Sequence, residues 1–240
     1  MLYGGIVLKT VILPYDELCL EVAERILDIV EMKPDACLAL TVGEEQEGVY
    51  EALSVLSKMR GIRLSKSKIF LVNEYEGLDA DDGRGCRSRL SSLLYGTGAD
   101  VDTITIPTQD NIEKLDALID EKGGLDLALL GIGFNCRVGF NEPGTAFDTL
   151  CHRQKLTDAT KREMAAFFGG EKAVPEYGFT MGIKTLILAR EHIIVAAGEE
   201  KADAVFQTLY ARTDSYRPSA FWQIPLQVSL YADFEAAGKL

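Results

Sequence analysis

Residues 125–133 read LDLALLGIG, and this stretch decides the fold. The nearly unbroken apolar run at 125–130 is typical of a β-strand that is buried on both faces, as strands are in parallel sheets. Two similar runs, ACLALTV at 36–42 and EHIIVAA at 191–197, predict further buried strands. Amphipathic segments with helical spacing separate these runs, and such alternation favours a mostly parallel sheet.

The remaining segments continue this alternation along the chain. Further strands are predicted at 67–72, 101–106, 177–180 and 227–231. Helices are predicted at 15–31, 48–59, 86–95, 112–119, 158–168 and 200–209, with another starting at 181 or 182. We therefore expect an α/β fold, a doubly wound and mostly parallel sheet with helices on both faces. No repeat or linker interrupts the 240 residues, so we expect one domain spanning 1–240.

Composition excludes several classes of function. Lys and Arg total 25 against 37 Asp and Glu, and the net charge of −12 would repel nucleic acid and anionic membranes. No apolar run approaches the roughly 20 residues of a membrane span, and residues 1–10 lack a targeting pattern, which predicts a cytoplasmic protein. The 5 cysteines are widely spaced and only 2 histidines accompany them, so neither a disulfide framework nor a metal site is expected.

Ligands of parallel sheets bind beyond the carboxyl ends of the strands, which directs attention to the loop after residue 130. Gly131 and Gly133 taken alone indicate only a tight turn. The longer stretch at 131–143, GIGFNCRVGFNEP, resembles the GxGxDGHxxFNEP motif of the glucosamine-6-phosphate deaminase and galactosamine-6-phosphate isomerase family. Residues 140–143 (FNEP) favour this amino-sugar branch over the related 6-phosphogluconolactonases, which end the motif differently.

Other segments carry the same resemblance over nearly the whole chain. Residues 72–75 (VNEY) are similar to the family's M-D-E-Y segment, 180–189 (TMGIKTLILA) to TxGxxTLxxA, and 198–202 (GEEKA) to GxxKA. The resemblance implies the sugar-phosphate isomerase/deaminase fold, a sugar or sugar phosphate as ligand, and no cofactor. It also implies a reaction that opens the sugar ring, moves a proton between C2 and C1, and releases ammonia. A homo-oligomer is left open.

The family's catalytic positions are altered in this chain. The proton-moving carboxylate falls on Asn73, whose amide accepts no proton, and the adjacent Glu74 is expected to point the other way as a structural acceptor. The orienting aspartate falls on Asn135, and the histidine falls on Arg137, a permanent cation that cannot shuttle a proton. Glu142 alone is retained, and we expect it to form an ion pair with Arg137.

The phosphate end is altered as well. The family's T-G-G-T type turn falls on Gly43, Glu44 and Glu45, and two carboxylates near a dianion would repel it unless their side chains swing outward. A family arginine falls on Ala166, whereas Lys201 of GEEKA is retained as a candidate phosphate ligand.

Weaker candidates lie near the same loops. Arg84, Arg87 and Arg89 could recapture an anion, although a solvated face is the simpler interpretation. Cys136, beside Arg137, is a conceivable nucleophile because a neighbouring cation lowers a thiol pKa.

Three hypotheses follow for function. The chain is an amino-sugar-6-phosphate isomerase/deaminase, and its altered site predicts that the ordinary activity is weak or absent. Alternatively, the fold has been repurposed to bind another sugar, or it is a non-catalytic relative.

Overall fold

The computed structural model describes residues 8–240 of the chain. Most of the segment used above to judge targeting lies outside these residues. The strands are β1 (Lys9–Ile12), β2 (Cys37–Leu40), β3 (Lys68–Leu71), β4 (Asn73–Tyr75), β5 (Leu127–Gly131), β6 (His152–Lys155), β7 (Tyr177–Thr180), β8 (Glu191–Ala196) and β9 (Val228–Ala232). The helices are α1 (Tyr15–Met32), α2 (Glu44–Arg60), α3 (Cys86–Leu93), α4 (Leu115–Glu121), α5 (Asp158–Phe168), α6 (Ile183–Ile187) and α7 (Ala202–Tyr210).

The central sheet has six strands in the order β1-β9-β8-β5-β2-β3, and every neighbouring pair is parallel. The apolar run at 125–130 overlaps β5, which lies between β8 and β2. The predicted parallel α/β sheet is therefore confirmed. Because all six strands run the same way, their carboxyl ends share one edge of the sheet.

Both faces of this sheet are covered by apolar packing. In β2, Leu38 and Leu40 join one buried cluster while Cys37 and Ala39 join the other. The first cluster includes side chains of α1, α2 and α3, and the second includes side chains of α4, α6 and α7. Alternate side chains of a strand point to opposite faces, so one strand contributes to two cores.

Three features differ from the sequence prediction. Strand β1 was not predicted. A second sheet of three strands, in the order β4-β7-β6, pairs antiparallel. The predicted strand at 101–106 is wrong, because Val101–Thr103 forms a 3-10 turn that the side chain of Asp100 caps by accepting from the amide of Asp102. Only Thr105 in that segment bridges the main sheet, opposite Phe70.

The cysteines are all free thiols. Within residues 8–240, no helix has the length and apolar character needed to cross a bilayer. The same described residues contain no cluster of three or more His, Cys, Asp or Glu side chains arranged to hold a metal ion.

Candidate active site

A cleft of about 420 Å³ lies at the carboxyl ends of the parallel strands. Residues that follow β2, β5, β8 and β9 line it together with Asn73 of β4, the start of α2 and one face of α5. This placement is the one expected for ligand sites of parallel sheets. Of the candidate residues, the structure brings Gly43, Glu44, Glu45, Asn73, Gly131, Arg137 and Lys201 to its walls.

The turn before α2 brings two carboxylates to the cleft, one exposed to solvent and one half-buried. Gly43 caps α2, and Glu44 is exposed. Glu45 is half-buried, and a Cβ added at Gly43 would lie 2.7 Å from its Oε2 atom. A Cβ added at Gly131 would overlap Oε1 of the same side chain, so only a glycine there leaves room for Glu45. The expected outward swing therefore applies to Glu44 and not to Glu45.

Gln46 lies behind Glu45 and is fully buried. Its Nε2 atom donates to Oε1 of Glu45 at 3.3 Å. Its Oε1 atom has no hydrogen-bond partner among the described residues. Burying an acceptor without a hydrogen-bond donor costs about 1–3 kcal/mol of folding free energy. An unpaired acceptor in a cleft wall therefore indicates that a bound group supplies the missing donor.

Asn73 and Glu74 face opposite sides of β4, as the alternation of a strand predicts. Asn73 is buried in the cleft wall, and its Nδ2 atom donates to the sulfur of Cys86 at 3.5 Å. Glu74 points away and accepts from the backbone amides of Tyr75, Cys86 and Arg87 at 2.7, 3.0 and 2.7 Å. Burial raises the pKa of Glu74 despite these bonds. Glu74 is thus the structural acceptor that was predicted.

Glu142 is held by neutral donors and not by an arginine. It accepts from Nδ2 of Asn135 at 2.8 Å, and from the backbone amide and hydroxyl of Thr157 at 3.1 Å each. The predicted ion pair between Glu142 and Arg137 is therefore wrong. The two groups do not meet because the Arg137 side chain extends toward α5 instead.

Arg137 forms its ion pair with Glu163 of α5 at 3.1 Å, where the two side chains are 12% and 6% exposed. Its Nε also donates to Oγ1 of Thr160 at 3.1 Å. Burial opposes the charge, but the carboxylate of Glu163 keeps the pKa of Arg137 above its ordinary value. A Cβ at Gly133 would lie 2.5 Å from Cγ of Arg137, so this glycine admits the arginine stem.

Lys201 shares the same carboxylate. Its Nζ lies 3.3 Å from Oε1 of Glu163, donates to the carbonyl of Ile132 at 2.8 Å, and lies 4.4 Å from the ring centroid of Phe134. Arg137 and Lys201 therefore share a single negative charge, that of Glu163. Sequence reasoning missed Glu163, although Thr160, Glu163 and Phe167 are spaced to share one face of α5.

The surroundings of Arg84, Arg89 and Cys136 show whether these weaker candidates are available to a ligand. Arg89 lines the cleft but pairs with Glu47 at 2.8 Å, and Arg84 pairs with Asp82 at 2.7 Å. Cys136 does not line the cleft, and burial raises the pKa of its thiol. Burial outweighs the opposing effect of Arg217 on this thiol, so its surroundings do not support the suggestion of a nucleophile.

The sequence matches known deaminases along most of its length. It is 33% identical over 234 residues to a glucosamine-6-phosphate deaminase of Halalkalibacterium halodurans, which covers 94% of this chain and 95% of that protein. It is 34% identical over 233 residues to a glucosamine-6-phosphate deaminase of Clostridium novyi, covering 94% and 97%. No family model matches the chain.

Solved structures give the same result. A monomeric glucosamine-6-phosphate deaminase of the NagB superfamily superposes with a TM-score of 0.93 at 28% identity, covering 97% of this chain and 100% of that one. The 6-phosphogluconolactonase of Trypanosoma brucei superposes with a TM-score of 0.72 at 16% identity, covering 97% and 98%, and this likeness concerns the fold alone. With relatives above 30% identity along nearly its entire length, the chain belongs to the glucosamine-6-phosphate deaminase family.

Proposed function

We propose that this protein is an amino-sugar isomerase/deaminase relative that binds a sugar in the cleft, and that it deaminates amino-sugar 6-phosphates weakly or not at all. The observation that carries the proposal is the Glu45 carboxylate beside Gly43 and Gly131, at the position where the resemblance places an anion-binding turn. Family membership supports the sugar ligand, and we also propose a cytoplasmic location.

The proton-transfer groups support weak activity. Asn73 stands at the base position, and a neutral amide does not remove a proton from carbon. Arg137 stands at the imidazole position and stays charged through its pair with Glu163. Loss of a single acid or base group typically lowers a rate by about 10²- to 10⁴-fold, and here two such groups are replaced.

The charge of the cleft supports weak binding of a phosphate. Two unit charges about 5 Å apart at an effective dielectric near 20 interact by about 3 kcal/mol, and for Glu45 and a phosphate this energy is repulsive. Lys201 and Arg137 would oppose the repulsion if they were free, but each already lies against Glu163.

The test is a direct assay of ammonia and ketose-phosphate release from glucosamine-6-phosphate and galactosamine-6-phosphate. Enzymes turn over at about 10 s⁻¹ in the median case, so the loss of one such group predicts about 0.1 s⁻¹ or less for an otherwise ordinary member. Added ammonia checks that the detection works in the presence of the protein. Turnover of about 1 s⁻¹ or faster with either substrate would refute the proposal.

The alternative is a repurposed or non-catalytic sugar-binding relative. The ion pairs of Glu163 favour it, because they engage two of the cleft cations, Arg137 and Lys201, within the protein itself. Binding of a sugar without any turnover, measured by calorimetry on the same preparation, would select this alternative over a slow enzyme.

A further inference from the structure

Two acceptors converge beside Gly43 without a donor between them. A Cβ added at Gly43 would lie 2.7 Å from Oε1 of Gln46 and 2.7 Å from Oε2 of Glu45. Both oxygens therefore lie close to Cα of Gly43 and to each other at the start of α2. Oε1 of Gln46 belongs to a fully buried side chain and has no partner among the described residues.

The orientation of the Gln46 amide follows from its neighbour. Nε2 donates to Oε1 of Glu45 at 3.3 Å, and the reverse orientation would set the amide oxygen against a carboxylate oxygen. The acceptor, and not the donor, thus faces Gly43. A ligand group that donates hydrogen bonds here would satisfy Gln46 and recover the cost of its unpaired oxygen.

The cations lining the cleft all have carboxylate partners. Arg89 pairs with Glu47 at 2.8 Å, while Arg137 and Lys201 share Glu163 at 3.1 and 3.3 Å. An anionic ligand would compete with these carboxylates for the cations. A positive ligand group meets no such competition.

Several carboxylates of the cleft have no such partner. Glu44, Glu45 and Glu200 line the cleft and have no cation within 4.0 Å in the described part of the chain. The amino end of α2 by itself favours negative charge, and the acidic residues of its first turn already supply that charge. The electrostatic potential near these unpaired carboxylates is therefore negative, and a negative potential attracts a cationic ligand.

The cleft also offers apolar surface. Phe134 and Phe167 line the cleft and remain 45% and 36% exposed, which is high for large aromatic side chains. Rings of this kind pack well against the C–H groups of a small ligand. A cleft of about 420 Å³ lies within the usual range of small-molecule pockets, about 300–1,000 Å³.

We propose that the cleft binds an unphosphorylated amino sugar in its ammonium form, with the ammonium donating to the carboxylate of Glu45 and to Oε1 of Gln46. Oε1 of Gln46 has no accessible surface as the side chains stand, so the half-buried Glu45 side chain rotates away from Gly43 to admit the ammonium. This inference rests on the proposed function and names the ligand class of the same cleft.

The test is calorimetric binding of glucosamine, N-acetylglucosamine, glucose and glucosamine-6-phosphate at about pH 6, where an amine is protonated. Glucosamine is expected to bind at least about 10-fold more tightly than each of the other three. The substitution Glu45→Gln keeps the shape and removes the charge, and should weaken glucosamine binding about 10-fold without changing glucose binding. Glu51→Gln, an exposed change on the same helix, should alter neither.

Three results would overturn the inference: no binding of glucosamine, tighter binding of glucosamine-6-phosphate than of glucosamine, or full glucosamine affinity in the folded Glu45→Gln protein. Circular dichroism confirms that the variant is folded. Failure of the proposed function looks different, because it appears as rapid ammonia release from a 6-phosphate. A protein that releases no ammonia but prefers the phosphorylated sugar would refute only this inference.

Discussion

Glu163 controls the electrostatics of the cleft through its contacts with two cations. Its side chain is 6% exposed, and it lies 3.1 Å from Arg137 and 3.3 Å from Lys201. A buried charge pays a large desolvation cost unless it is paired and hydrogen-bonded. One carboxylate thus allows two cations to be buried in the same wall, and it also withdraws them from any anionic ligand.

We expect Glu163→Gln to destabilise the protein by about 3–5 kcal/mol, because it leaves Arg137 and Lys201 without their carboxylate. Chemical denaturation in urea measures this change. The matched variant Glu171→Gln, at an exposed position just after α5, should lie within about 0.5 kcal/mol of the wild type.

The Glu163→Gln variant should also bind an anion more tightly than the wild type does. Inorganic phosphate at millimolar concentration should raise the melting temperature of Glu163→Gln and leave that of the wild type unchanged, because ligand binding stabilises the native state by mass action. A variant as stable as the wild type, or one indifferent to phosphate, would show that Glu163 does not hold these cations.

The motifs predict which residues lie in the site, but they do not predict which side chains form ion pairs or hydrogen bonds with one another there. The segments around Asn73 and at 131–143 place four family positions without any structural information. They do not say which carboxylate meets Arg137, because a long side chain can reach neighbours on any adjacent element. Glu163 matches no motif and is close to Arg137 only in the folded chain.

At the scale of elements, a cluster of charges joins three parallel strands at the edge opposite the cleft. Asp126 directly precedes β5 and accepts from the amide of Cys37 at 2.8 Å, from Nζ of Lys33 at 2.8 Å, and from NH1 of Arg190 at 2.8 Å. Cys37 begins β2, and Arg190 immediately precedes β8. This carboxylate therefore ties together the amino ends of the three central strands.

Asp126 makes stability depend on pH. Burial opposes ionisation, but Lys33, the amide of Cys37 and Arg190 together lower the pKa of Asp126 in the folded state. A carboxylate with a lowered folded pKa stabilises the protein above its unfolded pKa, about 3.9, and this stabilisation disappears as the pH falls through the folded value. Asp126→Asn should therefore cost about 1.5–3 kcal/mol at pH 7 and much less near pH 3.

Urea unfolding at both pH values measures the difference. Asp120→Asn, an exposed change on α4, serves as the control and should have an effect of less than about 0.5 kcal/mol at either pH. An Asp126→Asn penalty of the same size at pH 3 and pH 7 would contradict the argument.

Elements with strong periodicity were predicted well. Helix α5 occupies the predicted bounds, 158–168, because Thr157 caps it and an αL glycine, Gly169, ends it. The antiparallel strand β6 was not predicted. Its sequence HRQK is polar and lacks the apolar alternation that marks a strand, and it pairs only because β7 lies beside it.

At the scale of the molecule, the two apolar cores are not independent. Strands β2, β5 and β8 supply alternate side chains to both clusters, as Leu129 and Ile193 do to one and Leu130 and Ile194 to the other. Loss of either helical layer would expose one face of every shared strand to water. The prediction of a single domain over residues 1–240 stays a prediction, and this sharing of strands is the reason to expect it.

A single domain predicts one cooperative thermal transition. For 240 residues, an unfolding enthalpy of about 0.7 kcal/mol per residue gives a total of about 170 kcal/mol near 60 °C. Scanning calorimetry should find a calorimetric enthalpy equal to the van't Hoff enthalpy, because unfolding one core exposes the reverse face of the strands that support the other. Two resolved transitions, or a calorimetric enthalpy about twice the van't Hoff value, would mean that the two helical layers unfold as separate units.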